Sequence, residues 1–271
     1  MDRAAIEPPV EPASEAAPAG SGPLVARWLG RVGYRDAWQL QKGLAAARAE
    51  GTIPDQLLLL EHDAVLTLGR QADESHVLAS PELMAARGIE LLRVERGGEV
   101  TYHGPGQLVA YPIVGLADRG ILLRPYVRAL EAALAETCGA FGVAAGRREG
   151  HPGCWADPDG PEPRKLGALG IRVERGVAYH GIALNVDTLL ADFDLIDPCG
   201  MPGLTSASIA SELGRPDEAP STARVAAAAA EFARSLARHL GDGRLIGLLP
   251  PGADPGAERA ALERLTASRA A

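Results

Sequence analysis

The sequence LGALGIRVERGVAYHGIALNVD, residues 166–187, most narrowly limits what this chain can fold into. It has the pattern of two strands with a tight turn at Glu174, Arg175 and Gly176, where the glycine supplies the positive φ that such turns need. Strands joined by so short a turn run antiparallel. The segment therefore predicts a β-hairpin, and His180 lies on its second strand.

Further strands and helices are predicted on both sides of this hairpin. Short apolar runs bounded by turn residues predict strands at 57–62, 64–70, 89–98 and 106–114. Apolar residues at helical spacing predict helices at 34–51, 124–141 and 222–240, and hydroxyl residues suited to capping predict a short helix from Thr205. Strands and helices alternate unevenly, without a repeated βαβ unit, so we expect a single mixed α/β (α+β) domain.

The two ends of the chain differ in composition from this central part. Residues 1–23 are rich in Pro, Ala and Ser and lack an apolar core segment, which favours a disordered N-terminal extension over a signal or transit peptide. Beyond residue 240, Gly, Pro and Ala recur and the periodicity fades. We therefore expect the folded domain to span 24–240, and 241–271 to be a weakly structured tail or a short helix.

Charge and cysteine content exclude some classes of protein. The 271 residues carry a formal net charge of −8, whereas nucleic acids and anionic membranes require a concentrated basic surface. No run approaches the roughly 18 apolar residues that a membrane helix needs. The three cysteines are widely spaced and odd in number, which indicates reduced thiols and not a disulfide framework. We expect a cytoplasmic protein that binds neither nucleic acid nor membrane.

Among the three cysteines, Cys199 is the candidate nucleophile. It lies in DPCGMPG, where two prolines restrict the backbone and glycine leaves the sulfur approachable; the alternative is a small structural residue in a turn. Cys138 falls on the apolar stripe of a predicted helix and is expected in the core. Cys154, in HPGCWADP, is expected in a variable surface loop. With His151 it offers only two metal ligands, fewer than a zinc site requires, so we expect no metal.

A cysteine nucleophile must be ionised, and Lys165 is the conspicuous activating group. A free thiol is only a few per cent thiolate at neutral pH. The chain has just two lysines, Lys42 and Lys165, among many arginines, and Lys165 enters the hairpin directly. An ammonium about 4 Å from a thiolate stabilises it by about 4 kcal/mol at an effective dielectric constant of about 20, before desolvation costs. Lysine also passes on a proton as arginine does not; the alternative is a solvated surface charge.

The segment RGGEVTYHGPGQ, residues 96–107, predicts a wall of a ligand pocket. Its four glycines let the backbone approach a ligand closely, and its hydroxyl, imidazole and amide side chains offer hydrogen bonds. A phosphate-binding loop is unsupported, because neither the Walker pattern nor GxGxxG after a strand is present. His103 and His180 are candidates for acid–base chemistry, and hydrogen-bonded structural histidines are the alternative.

Four segments, taken in order, resemble the octanoyltransferases, also called lipoyl(octanoyl) transferases or lipoate biosynthesis protein B: LLLLEHDAVLTLGR, RGGEVTYHGPGQLVAYPI, KLGALGIRVERGVAYHGIALNV and DPCGMPGLTSAS. The resemblance implies a catalytic domain similar to those of lipoate ligases and biotin ligases. It also implies transfer of an octanoyl group from octanoyl-acyl carrier protein to a specific lysine of a lipoyl domain, as the first step of endogenous lipoate synthesis. The acceptors would be apo lipoyl domains of 2-oxoacid dehydrogenase complexes and the glycine cleavage H protein, and no cofactor or ATP would be required.

The same resemblance implies which residues act. Cys199 would take up the acyl chain as a thioester, and Lys165 would favour its thiolate. The residues expected to bind the acyl chain are Arg96, Gly97, Gly98, Glu99, Val100, Thr101, Tyr102, His103, Ala168, Leu169, Gly170, Gly181, Ile182 and Ala183. Small residues in these strands would leave a channel for an octanoyl tail.

The chain departs from the family pattern in places, and two alternative functions stay open. The departures are the N-terminal extension, an inserted loop at 157–163, and Cys154 where an aliphatic residue is expected. The nearest alternative is an ATP-dependent lipoate or biotin ligase with the same fold, which forms an acyl adenylate instead of an acyl-cysteine. The second is a non-catalytic module that carries an acyl chain or binds the lipoyl domain. Lys165 together with Cys199 favours the transferase.

Overall fold

The computed structural model describes residues 22–241, 243–247, 250 and 252–267. The predicted disordered extension, 1–23, therefore lies outside the described residues except for Gly22 and Pro23, and parts of the predicted tail lie outside them too. No helix in the described ranges has the length and apolar character needed to cross a membrane.

The described chain contains both strands and helices. The strands are β1 (Leu24–Arg31), β2 (Gln56–Glu61), β3 (Val65–Leu68), β4 (Glu90–Arg93), β5 (Val100–His103), β6 (Gln107–Gly115), β7 (Gly146–Arg148), β8 (His151–Ala156), β9 (Arg164–Glu174), β10 (Val177–Asn185) and β11 (Leu245–Ile246). The helices are α1 (Tyr34–Ala49), α2 (Pro81–Ala86), α3 (Leu116–Arg119), α4 (Leu123–Ala140), α5 (Ile209–Glu212), α6 (Thr222–His239) and α7 (Pro255–Ala267). Short 3₁₀ turns occupy Glu74–His76, Leu190–Leu195 and Pro198–Gly200. The expected mixed α/β class is confirmed.

The larger sheet has eight strands in the order β11–β1–β2–β6–β10–β9–β8–β7. β1 runs parallel to both of its neighbours, and every pair from β2–β6 to β8–β7 is antiparallel. The predicted hairpin is confirmed as β9 and β10, with Glu174 paired to Val177. Its turn residues Arg175 and Gly176 both have positive φ, 49° and 79°. The hairpin thus lies in the middle of the antiparallel part of the sheet.

Helices cover both faces of this sheet, which explains the unbroken apolar run in β2. Leu57 and Leu59 belong to the core that the sheet forms with α4 and α6. Leu58 and Leu60 belong to the core on the other side, with α1 and α7. A strand buried on both faces loses the alternation of apolar and polar residues. The predicted helices α1, α4 and α6 are confirmed within one or two residues at each end.

The chain after residue 240 adds to the same sheet and core. β11 pairs in parallel with β1, and Leu262 of α7 has no exposed surface. A strand of two residues carries no readable periodicity, so the sequence pattern did not indicate β11. The sheet therefore extends past residue 240, the predicted end of the folded domain.

A second sheet has three strands in the order β4–β3–β5. β3 and β5 run antiparallel with Thr67 opposite Thr101, and the sheet packs on its own apolar cluster, which includes Tyr102 and Phe193. The backbone N–H of Gly97 donates to Ile171 O of β9 at 3.0 Å. The glycine-rich segment therefore connects the small sheet to the hairpin of the large one.

The expectation that Cys154 lies in a surface loop is wrong. Cys154 is fully buried in β8, and its Sγ lies 4.0 Å from Sγ of Cys138. The nearby Pro152 and Gly153 suggested a loop, but a strand close to the edge of a sheet tolerates both residue types. The core position expected for Cys138, in α4, is confirmed.

The short helix predicted from Thr205 begins later than expected. Residues 205–207 run along β9 instead: Lys165 N donates to Thr205 O, and Ala207 N donates to Lys165 O, each at 2.9 Å. The Ser208 side chain then accepts from Ser211 N and caps α5. The hydroxyl residues that precede Ser208 therefore flank β9 and do not cap the helix.

Candidate active site

Lys165 and Cys199 meet although they lie far apart in sequence. The Nζ of Lys165, on β9, is 3.4 Å from Sγ of Cys199, which lies in the 3₁₀ turn after Asp197. This separation allows an N–H···S hydrogen bond. The two residues that the sequence singled out for their chemistry thus form a pair.

Lys165 is a buried cation without a carboxylate partner among the described residues. Its side chain is 7% exposed; Nζ donates to Pro152 O at 3.1 Å and lies 4.8 Å from the centroid of the Trp155 ring. A carbonyl dipole and an aromatic face stabilise an ammonium less than an ion pair does. The charge of Lys165 therefore acts mainly on the thiol beside it.

The loop that carries Cys199 holds the cysteine in an unusual conformation. Cys199 has φ 60° and ψ 21°, in the left-handed region that costs a residue with a side chain about 1–3 kcal/mol. Asp197 N donates to His76 O at 2.8 Å before the cysteine, and Gly200 follows it with φ 66°. A Cβ on Gly200 would lie 3.0 Å from Cε1 of His76. The surrounding contacts therefore enforce the turn that leaves the thiol partly exposed.

A cavity of about 310 Å³ opens from this pair. Its size falls within the range of small-molecule sites, roughly 300–1,000 Å³. All but two of the residues expected to bind the acyl chain line it: Arg96, Gly98, Glu99, Val100, Thr101, His103, Ala168, Leu169, Gly170, Gly181, Ile182 and Ala183. Small side chains on β9 and β10 leave this space open, and a Cβ on Gly170 would lie 2.9 Å from Cδ of Arg96.

The other two expected residues do not line the cavity. Tyr102 points into the core of the small sheet, where its ring packs 5.6 Å from that of Phe193. Side chains alternate along β5, so Thr101 and His103 face the other way. Gly97 contacts β9 through its backbone N–H, and a Cβ at this position would lie 3.1 Å from Ile171 O.

Burial keeps two imidazoles beside the cavity, those of His62 and His103, neutral. Burial holds the pKa of His103 well below its usual range, and burial lowers the pKa of His62 to about 4. His103 Nδ1 lies 2.7 Å from Gln107 Oε1, and Gln107 Nε2 donates to Tyr102 O and to Asn185 Oδ1. Nδ1 therefore carries the proton of His103. These bonds favour the structural interpretation of His103 over an acid–base role.

His180 also lies on the cavity wall, in a strained conformation. Its φ is 57°, its backbone N–H donates to Gln41 Oε1 at 2.8 Å, and its side chain is almost fully buried. Burial lowers its pKa, and the opposing effect of Glu95, 3.7 Å away, is smaller. His180 is thus a neutral wall residue.

Arg96 supplies a second buried cation, and the small sheet holds it. Its guanidinium donates to Thr67 O at 2.6 Å and to Thr67 Oγ1 at 2.8 Å. Burial lowers its pKa. Nearby, burial raises the pKa of Tyr34 to about 12.

Known proteins are similar in sequence to this chain over most of its length. The family model of the lipoyl protein ligase A/B catalytic domain matches residues 33–233. An octanoyltransferase of Chloroflexus aurantiacus is 46% identical over 204 residues, which cover 75% of this chain and 89% of that protein. An octanoyltransferase of Acidobacterium capsulatum is 51% identical over 181 residues, 64% of this chain and 74% of that protein.

This chain belongs to the octanoyltransferase family. An octanoyltransferase of Rhodococcus jostii is 46% identical over 209 residues, which cover 75% of this chain and 78% of that protein. The expected family is therefore confirmed by relatives that span most of the domain.

Solved structures confirm the fold of this chain. A putative lipoate protein ligase of T. acidophilum with bound lipoic acid superposes with a TM-score of 0.62 at 17% identity, covering 90% of this chain and 94% of that one. Lipoate-protein ligase A bound with ATP gives a TM-score of 0.62 at 17% identity, with coverage of 92% and 95%. The predicted likeness to lipoate ligase catalytic domains is thus correct.

Several residues of the cavity were missed by sequence reasoning. They are Tyr34, Tyr111, Gly150, His151, Pro152 and Met201. Met201 lies two positions after Cys199, so proximity to the cysteine was a usable signal. Tyr34 begins α1, and nothing in its local pattern separates it from a helix residue packed in the core.

Proposed function

We propose that this octanoyltransferase moves an octanoyl group from octanoyl-acyl carrier protein to a lysine of an apo lipoyl domain, through a thioester on Cys199. Membership of the family supports octanoyl transfer in lipoate biosynthesis. The observation that carries the covalent route is the 3.4 Å contact between Lys165 Nζ and Cys199 Sγ at the cavity. The acceptors are lipoyl domains of 2-oxoacid dehydrogenase complexes and the glycine cleavage H protein, in the cytoplasm.

In the first step the Cys199 thiolate attacks the thioester carbonyl of the donor. A carbon–sulfur bond forms to Cys199, and the bond to the carrier's pantetheine sulfur breaks. The departing thiolate takes the proton of the Lys165 ammonium. Exchange between two thioesters is close to isoenergetic, so no ATP is needed, and a covalent intermediate divides one transfer into two easier steps.

In the second step the acceptor lysine attacks the acyl-cysteine as a free amine. The new amide bond forms, the Cys199 thiolate leaves, and Lys165 takes the proton that the amine loses. This returns the pair to its starting charges. Arginine at position 165 cannot perform this proton transfer, because its guanidinium does not deprotonate in proteins.

Intact mass spectrometry tests the proposal. The reduced protein is incubated with octanoyl-acyl carrier protein, and any adduct is located by peptide mapping. We expect one octanoyl thioester on Cys199 that disappears when an apo lipoyl domain is added. Cys199→Ser should form no such thioester, and Cys154→Ser, which changes a fully buried thiol, should still form it.

Two other outcomes would point elsewhere. Octanoylation of the lipoyl domain only when ATP and free octanoate are supplied would establish the ligase alternative. Acyl binding without transfer, equal in wild type and Cys199→Ser, would establish the non-catalytic module.

A further inference from the structure

A second, much smaller cavity lies against the lysine–cysteine pair. It has a volume of about 20 Å³, and its wall includes both Cys199 and Lys165. The rest of the wall combines apolar residues such as Phe193 and Pro198 with four polar side chains, those of Thr101, Gln107, Asn185 and Ser206. A space of about 10–15 Å³ or more accommodates one water-sized group if polar partners surround it. This cavity therefore fits a single oxygen atom next to the thiol.

Two hydroxyl groups in this wall have no hydrogen-bond partner within the described chain. They belong to Thr101, on β5, and Ser206, in the segment beside β9. Ser206 is paired in register with Lys165, and residues paired across neighbouring strands project their side chains to the same face. Ser206 therefore points to the side on which Lys165 contacts Cys199. Thr101 lines both the small cavity and the large one, so its side chain lies where they meet.

The amide side chains in the same wall have other partners. Gln107 Nε2 donates both of its hydrogens, to Tyr102 O at 3.2 Å and to Asn185 Oδ1 at 3.0 Å. Asn185 Nδ2 donates to Ala207 O at 2.9 Å and so holds the strand segment that carries Ser206. These amides form a fixed back wall. The hydroxyls of Thr101 and Ser206 are the groups free to turn toward a new acceptor.

We infer that the small cavity receives the thioester carbonyl oxygen, and that Thr101 and Ser206 donate hydrogen bonds to it as negative charge develops. The inference rests on the proposed covalent route through Cys199. When the thiolate attacks, the carbon–sulfur bond forms and the carbonyl π electrons move to the oxygen. When the tetrahedral intermediate collapses, those electrons return and the bond to the leaving sulfur breaks. Donors fixed around an oxyanion lower the barrier because they need no reorganisation during the reaction.

The carbonyl oxygen and a water molecule would compete for the small cavity. A cavity with room for one oxygen cannot hold both the carbonyl oxygen and a water molecule. Once the acyl group occupies it, the nearest polar space beside the thioester is filled. Binding of the carbonyl oxygen would therefore displace any water from the small cavity.

The test is the single-turnover rate at which octanoyl-acyl carrier protein acylates Cys199, followed by quenched intact mass. Thr101→Val and Ser206→Ala each remove one hydroxyl with little change in volume. We expect each to slow acylation about 10- to 100-fold, because loss of one oxyanion donor costs roughly 100- to 1,000-fold when it is not shared. The double variant should be slower than either, and Thr101→Ser should recover most of the rate.

A second readout separates stabilisation of the oxyanion from positioning of the dyad. The pH profile of Cys199 alkylation by iodoacetamide reports thiolate formation, which involves no carbonyl oxygen. We expect it to be unchanged in Thr101→Val and Ser206→Ala. Thr205→Val is the matched control, because it removes the neighbouring, exposed hydroxyl, which does not line the small cavity.

Each contrary outcome has a distinct meaning. Wild-type acylation rates in Thr101→Val and Ser206→Ala would overturn the inference while leaving the covalent route intact. Slowed acylation with an equally altered alkylation profile would also overturn it, since the hydroxyls would then act by positioning the thiol. If wild type forms no thioester at all, the proposed function itself fails.

Discussion

Two buried cations, Arg119 and Lys165, are held in opposite ways. Arg119 is 3% exposed, and its Nε pairs with Asp55 Oδ2 at 2.5 Å. Its remaining nitrogens donate to Leu240 O at 2.8 Å and Gly22 O at 2.9 Å. Lys165 is similarly buried, at 7%, yet it has a carbonyl, a ring face and a thiol instead of a carboxylate.

The difference separates a structural charge from a chemical one. The charge of Arg119 is neutralised by Asp55, and its hydrogen bonds tie the end of α6 to the start of β1. Lys165 has no such carboxylate partner among the described residues, so its charge is available to the sulfur of Cys199. Buried charges with incomplete compensation occur mainly where chemistry requires them. Four experiments test this contrast.

The largest effect is expected for Lys165→Met. Acylation of Cys199 should slow by about 100- to 10,000-fold, the range that a positioned acid–base group contributes. Single-turnover acylation measures it, and thermal melting should show no loss of stability. The matched control is Lys42→Met: Lys42 is exposed and lies 4.4 Å from the Trp38 ring centroid, so it shares the aromatic contact but not the thiol. Full activity in Lys165→Arg would disprove proton transfer by Lys165.

For Asp55→Ala the expected effect is on stability alone. Asp55 also pairs with Arg48 Nε at 2.5 Å and accepts from Gly115 N at 3.0 Å. Its removal leaves the buried Arg119 without a carboxylate, whereas the half-buried Arg48 keeps its ion pair with Asp118. We expect a loss of about 3–5 kcal/mol in the free energy of unfolding, measured by urea denaturation. Acylation per folded molecule should be unchanged. A selective loss of activity at full stability would reverse the roles assigned to the two cations.

Acid should weaken the fold through the buried imidazole of His62, whose hydrogen-bond partners are the neutral Val32 O and Tyr111 OH. The pKa of His62 is lowered to about 4 in the folded state, so between that value and the ordinary 6.5 the unfolded chain binds more protons. Its contribution to stability is therefore complete above pH 6.5 and is lost as pH falls toward 4. Between pH 7 and pH 5 the loss from His62 amounts to about 2 kcal/mol.

The pH experiment has its own pair of variants. Urea denaturation of His62→Gln should give a flatter dependence on pH over this range, whereas His151→Gln, at an exposed position, should retain the wild-type dependence. The buried His103 and His180 act in the same direction, since burial lowers the pKa of each. Equal slopes in all three proteins would show that His62 is not a neutral buried base.

The smallest effect is expected for Arg164, the residue next to Lys165 in sequence. Its guanidinium forms two hydrogen bonds to Glu212, at 2.8 and 2.9 Å, on a partly exposed surface. Exposed ion pairs contribute about 0–1 kcal/mol, so Arg164→Gln and Glu212→Gln should each change the free energy of unfolding by less than that. A loss of stability as large as that expected for Asp55→Ala would show that surface and buried ion pairs contribute equally to the free energy of unfolding.

The sequence pattern predicted those parts of the fold that depend on residues close together in the chain. The hairpin turn needs a glycine such as Gly176, and α4 carries an apolar stripe that includes Cys138. The pairing of Lys165 with Cys199 was inferred from residue chemistry and family resemblance, and the two side chains do meet. Their catalytic roles stay predictions.

Other features depend on contacts that no local pattern records. Cys154 is buried because α4 covers its strand, although prolines and glycines surround it in sequence. The left-handed conformations of His180 and Cys199 are enforced by neighbours distant in sequence. The small cavity needs Thr101 and Ser206 to approach from different sheets, and their spacing in sequence gives no sign of it.

The attachment of the Cys199 loop has a consequence for its motions. The loop is anchored before the cysteine by Asp197 N, which donates to His76 O, and after it by the single bridge between Lys165 and Ser206. Displacing the thiol far from the ammonium therefore requires breaking hydrogen bonds of β9. In a hydrogen-exchange experiment, the amides of Lys165 and Ala207 should be protected to the same extent and lose protection together. Lys165 and Cys199 should then separate at the rate at which the pairing between β9 and residues 205–207 opens.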